Sequence, residues 1–131
     1  MANEATLVYE TMPPIPFTCA DGATIEKGTL LKLSDPMTVA ATSADNDIFM
    51  GVAAEEKIAS DGKTKIAVYL QGVFIVKDSG AGVTVGTQLT INGANTVKTY
   101  TTLDDEKGYA CGRALETAAA GDTFLAWINV F

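Results

Sequence analysis

Hydrophobic positions alternate over short runs, and each run ends at glycine, proline, asparagine or aspartate. Lys65-Ile66-Ala67-Val68-Tyr69-Leu70 sends Ile66, Val68 and Leu70 to one side, Ala67 and Tyr69 to the other. That two-residue period predicts a half-buried strand. The strongest turn signals are Asp61-Gly62 and Asn92-Gly93, because a type I′ hairpin needs positive φ at both central residues. Each lies between runs able to pair: Ile48–Ala59 with Lys63–Val76, and Gln88–Ile91 with Thr96–Thr101. Phe124–Ile128 is apolar on both faces, which predicts a strand that is central in its sheet or covered by a partner chain. Helix signals are weak. Ala114–Ala120, stopped by Gly121, and Ala53–Lys57 allow at most a short helical turn each.

The most informative pattern is internal. Gly28-Thr29-Leu30-Leu31-Lys32-Leu33 matches Gly86-Thr87-Gln88-Leu89-Thr90-Ile91, 58 residues further on, and the same spacing carries Thr38-Val39 onto Thr96-Val97. Gly51-Val52-Ala53-Ala54-Glu55 then resembles Gly112-Arg113-Ala114-Leu115-Glu116 at a spacing of 61. Three landmarks in one order predict a duplicated β-unit, with a small insertion in the second copy around Leu103–Lys107. Solenoid repeats are shorter and need at least three copies to bury a core. The expected fold is therefore all-β: a compact, β-tulip-like barrel or sandwich closed from two similar units of about four short strands each.

Residues 1–19 read differently, as an extended N-terminal arm ahead of a single barrel domain at 20–131. Three of the four prolines fall in Pro13-Pro14-Ile15-Pro16. Proline fixes φ and removes an amide donor, so this stretch is expected to lie outside any sheet. Leu7, Val8, Tyr9, Met12, Ile15 and Phe17 are too apolar for a tail meant only for solvent, which makes them the candidate contacts to another chain.

Composition narrows the chemistry. The 131 residues are 47% hydrophobic, enough for a real core, and carry sixteen acidic against nine basic side chains, a net charge of −7. A nucleic-acid binder needs a basic surface to displace counterions, so no nucleic-acid partner is expected. Histidine is absent, which removes the commonest general base and every Ser-His or Cys-His pair. Cys19 and Cys111 have no metal-ligand spacing and read as buried free thiols, although one long-range disulfide stays open. Asp45-Asn46-Asp47 begins like a calcium loop but lacks its glycine and closing glutamate, and Gly80-Ala81-Gly82 is followed by no Lys-Ser/Thr step. Neither Lys63 nor Lys98 has the flanks of a lipoyl or biotin carrier lysine. No catalytic residue, metal ligand or cofactor is expected. No signal-peptide pattern or membrane-length apolar run occurs, so a soluble chain made in the cytoplasm, with no membrane partner, is expected.

Read in order, Ala23-Thr24-Ile25-Glu26-Lys27-Gly28-Thr29-Leu30, Phe49-Met50-Gly51-Val52-Ala53, Ile66–Leu70 with Gly72, Val83-Thr84-Val85-Gly86-Thr87-Gln88-Leu89 and Gly112-Arg113-Ala114-Leu115-Glu116 form a series spanning most of residues 20–131. This series resembles the small capsid cement, or decoration, proteins of tailed viruses. The resemblance implies a non-enzymatic virion component, made in the host cytoplasm, that binds the outside of an assembled capsid, commonly as a homotrimer. It would bridge neighbouring copies of the major capsid protein. Leu125, Trp127 and Phe131, on the face of the C-terminal strand that one core does not need, are the candidate oligomer interface. The alternative is a small β-module binding a ligand or glycan, for which only Trp127 and four tyrosines offer platforms.

Overall fold

The computed structural model describes residues 3–100 and 110–130. Its regular elements are strands: β1 (Thr6–Glu10), β2 (Ile15–Thr18), β3 (Leu30–Asp35), β4 (Thr38–Ala41), β5 (Phe49–Ala53), β6 (Lys65–Tyr69), β7 (Gln71–Lys77), β8 (Gln88–Ile91), β9 (Val97–Thr99), β10 (Ala110–Ala114) and β11 (Thr123–Asn129). The first unit is a closed barrel in the order β2-β4-β3-β5-β6. The second repeats it as β7-β11-β10-β8-β9, with a single parallel bridge, Asp78–Val97, bringing β9 back to β7. β1 adds to the outer edge of β7 and makes this a six-stranded sheet. Each unit thus holds five strands rather than four.

The duplication extends to individual hydrogen bonds. Thr29 Oγ1 donates to the Glu26 carbonyl at 2.7 Å, and Thr87 Oγ1 to that of Thr84 at 2.8 Å. Gly28 N–H reaches Ala53 O, and Gly86 N–H reaches Ala114 O. Gly51 and Gly112 lie where a Cβ would overlap the carbonyl oxygens of Tyr69 and Trp127, so only glycine lets those strands approach. The Glu55 carboxylate accepts the Ala67 N–H at 3.3 Å, and that of Glu116 accepts the Leu125 N–H at 2.7 Å. These carboxylates, with the paired bridges Ile25–Lys57 and Val83–Ala118, draw the chain after β5 and β10 into bends and turns, where a short helix was allowed. The insertion expected near Leu103–Lys107 lies outside the described residues.

Two expectations are corrected. Residues 1–19 are not an arm outside the sheets, because β1 and β2 are built into the second and first units. Pro16 sits within β2 without losing a bond. Thr18 N–H points at Met37 O on the β4 side, so the nitrogen of Pro16, two residues earlier, faces the same way. There β4 pairs with β2 only at Thr18, while β6 pairs along the other side from Ile15 to Thr18. The turns also differ: Gly62 and Gly93 have positive φ, but Asp61 and Asn92 do not, and Ser60 and Asn95 do instead. The connections are therefore longer than two-residue type I′ loops.

Each unit has its own core, around Phe17, Leu31, Ile66 and Val68 in the first and Phe74, Leu89, Phe124 and Ile128 in the second. Leu30, Val52 and Tyr69 belong to first-unit strands yet pack on the second core, with the rings of Tyr69 and Phe74 edge to face at 5.9 Å. Asn95 fastens the same joint. Its Oδ1 accepts Leu30 N–H at 2.5 Å, its Nδ2 donates to Asn3 O and Gly28 O, and its own N–H donates to Thr42 Oγ1.

Candidate interaction surface

Strand alternation divides the six-stranded sheet into a buried face and an open one. Phe74, Val76, Phe124, Ala126 and Ile128 point into the second core. Their neighbours form a row across five strands on the other face, in the register Gln88, Arg113, Trp127, Val73, Tyr9. Leu125, Ile75 and Thr6 make the adjacent row. Tyr9 is 66% exposed, Ile75 38% and Leu115 41%, while Val73, Leu125 and Trp127 are half-buried. Arg113 is exposed and donates to Gly86 O at 2.7 Å. The open face thus combines an aromatic pair, branched aliphatics and one guanidinium. Aromatic residues and arginine are the types that dominate interface energetics.

The other chemically suggestive groups are engaged in holding the fold. The Lys57 side chain is fully buried, and its Nζ donates to Asp21 O, Ile58 O and Asp61 Oδ1 at 2.7–2.8 Å. The Lys57 bond, with the Lys63 and Ile58 amides, brings the Asp61 carboxyl down to about 2. Burial opposes the ammonium, but its bonds to Asp61 and Asp21 outweigh that and raise Lys57 above the ordinary lysine range. Asp47 caps the amides of Ser43 and Ala44 and pairs with Lys32, so the calcium-like Asp45-Asn46-Asp47 is a fastened turn. Cys19 and Cys111 are buried and free, in different cores. Desolvation raises both thiols, that of Cys111 to about 12. A cleft of about 250 Å³ beside Asn95 is lined by Thr24, Glu26, Thr29, Ala41 and Thr42, with no aromatic platform for a sugar.

The phage cement protein family matches residues 10–129. The chain belongs to that family. No curated protein matches this cement protein. Among solved structures, the head fiber gp8.5 N base of bacteriophage phi29 is similar with a TM-score of 0.56 and 19% identity, over 88% of this chain and 92% of that one. This likeness concerns the fold, and the family makes the chain a structural component of the phage capsid.

Within the cement protein, the six apolar residues expected in the arm divide by burial. Phe17 is 3% exposed inside the first barrel and therefore is not a contact to another chain. Ile15 is half-buried against the same core, Leu7 packs on the second core, and Met12 is half-buried. Val8 and Tyr9 are exposed, Val8 at the irregularity in the β1–β7 register. Leu125 and Trp127 lie together on the open face of β11, which is central in its sheet, and Phe131 is outside the described residues. Sequence reading missed Arg113, Val73 and Ile75 as members of this face. The signal available for Arg113 was its place in the repeat, where the first unit has Val52.

Proposed function

We propose that this cement protein binds the outer surface of the assembled capsid and clamps neighbouring major capsid subunits together, without enzymatic activity, as a homotrimer. The observation that carries the reading is the open, largely apolar sheet face on a chain of the cement family. A rigid sheet with an exposed aromatic and aliphatic row suits a part whose work is adhesion. The acidic body, at −7, keeps such a part soluble after synthesis in the host cytoplasm and disinclined to trap DNA.

Two patches divide the task. Val8 and Tyr9, with the free edge of β1 and nearby Met12, contact the capsid. Leu125 and Trp127 lie toward the interior of the sheet and serve self-association. Neighbouring strands are about 4.8 Å apart, so Tyr9 and Arg113, three strand intervals apart, are separated by roughly 14 Å. The experiment is co-sedimentation of the purified chain with capsids lacking it, followed by a heat challenge. Binding with raised capsid resistance is the expected result. A chain that stays in the supernatant at micromolar concentration is not a capsid clamp.

A further inference from the structure

The two units are copies, yet one uses a face that the other leaves open. In the first unit, Leu30, Val52 and Tyr69 form one cross-strand row over β3, β5 and β6. In the second unit, the equivalent positions are Gln88, Arg113 and Trp127, a row over β8, β10 and β11 with the same pairings. The first row is covered by the next unit of the chain: Leu30 and Val52 are 1% exposed, and Tyr69 packs against Phe74. The second row is not covered in this way: Gln88 and Arg113 are exposed, and Trp127 is half-buried.

We propose that the Gln88–Arg113–Trp127 face packs on the first unit of a second copy, head to tail, repeating between chains the contact that joins the two units within one. This rests on the reading that the chain self-associates, and it specifies the surface and symmetry. The register assigns the partner position. Phe74, which receives Tyr69, is equivalent to Ile15, because Phe74 pairs with Ala126 as Ile15 pairs with Val68. Trp127 of one copy therefore lies against Ile15 of the next, where β2 begins. The residue changes along the row suit a contact made after folding. Gln88 and Arg113 tolerate water in the free chain better than Leu30 and Val52 would, while Trp127 keeps an anchor. Residues 1–70 carry ten carboxylates against five lysines, so the receiving unit complements Arg113 in charge. Such a contact is heterologous: a residue on one surface meets a different surface on its neighbour, and a rotation that closes gives a ring.

The tests are light scattering and disulfide trapping. The wild-type chain should be oligomeric at tens of micromolar, and Arg113→Glu should weaken association tenfold or more while keeping the far-ultraviolet spectrum and melting temperature. Trp127→Cys with Ile15→Cys in one chain should give covalent oligomers on oxidation, ending at the ring size. Trp127→Cys alone should give none. Covalent dimers from Trp127→Cys alone would mean an isologous contact and overturn the head-to-tail geometry. An oligomer indifferent to Arg113→Glu, or a double-cysteine oligomer that never crosslinks, overturns the assigned face and leaves self-association standing. A monomeric wild-type chain that still binds capsids overturns self-association and this inference with it, leaving the capsid reading intact.

Discussion

Arg113 and Trp127, the only arginine and the only tryptophan of the chain, are direct partners across β10 and β11, and their counterparts Val52 and Tyr69 are partners across β5 and β6. The same row is solvated in one unit and buried in the other. The equivalence makes the two positions a natural pair for substitution. Val52→Arg would place an unpaired charge in the joint between the units and should destabilise by at least about 3 kcal/mol in urea denaturation. Arg113→Val removes only the exposed bond to Gly86 O and should stay within about 0.5 kcal/mol. Equal losses at both positions would mean that the two rows do not differ in burial.

Asn95 should be the most sensitive polar residue of the joint. Its side chain meets the Leu30 amide and the carbonyls of Asn3 and Gly28, and its φ of 59° suits asparagine better than alanine. Asn95→Ala should cost about 2–4 kcal/mol, since each buried group left unsatisfied costs about 1–3. Asn95→Gly keeps the backbone conformation and isolates the side-chain part, so it should recover some of the loss.

The Lys57 latch predicts a pH dependence with a definite sign. Asp61 stands at about 2 in the folded chain, below its ordinary 3.8, so its contribution is present above that value and is lost as pH falls through the interval toward 2. Lys57 is raised, so its contribution holds below the ordinary lysine value and is lost as pH rises through the raised one. Melting temperature should therefore fall more steeply between pH 4 and 2 for the wild type than for Asp61→Asn. Parallel curves for the two proteins over that interval would show that the latch does not titrate there.

What could be read from the sequence followed from residues whose type their geometry demands. Gly28 and Gly86 both have positive φ, and Thr29 and Thr87 both bond the carbonyl three residues earlier, so the repeat kept Gly-Thr where most other positions drifted. Ile66 and Val68 alternate because β6 has one face in the barrel core. Lys57 was illegible because its meaning depends on Asp21, 36 residues away, and its repeat counterpart is Ala118. The strands β1 and β2 were hidden for a different reason. Proline argues against a strand on average, but the nitrogen of Pro16 faces the β4 side, where the two strands pair at Thr18 alone.

That last point yields a prediction about edges. In the repeat, Pro14 and Pro16 occupy the positions of Val73 and Ile75, the residues on β7 that pair with Tyr9 and Thr6 of β1. The first unit thus places prolines where the second accepts an extra strand. Proline on an edge blocks strand addition, whereas an uncovered edge of unpaired amides invites it. Deleting residues 2–12 would remove β1, with the buried Ala5 and the core contact of Leu7, and uncover the β7 edge. The truncated chain should lose at least about 2 kcal/mol of stability and associate through that edge, shown by rising light scattering and thioflavin fluorescence on mild warming. Tyr9→Lys keeps β1 in place and changes only an exposed side chain. It should leave stability within about 0.5 kcal/mol and weaken co-sedimentation with capsids. Comparing the two variants separates the strand's role in sealing the sheet from its side chains' role in adhesion. Should Tyr9→Lys bind capsids as tightly as the intact chain, β1 serves only to close the edge, and the capsid contact lies elsewhere on the surface.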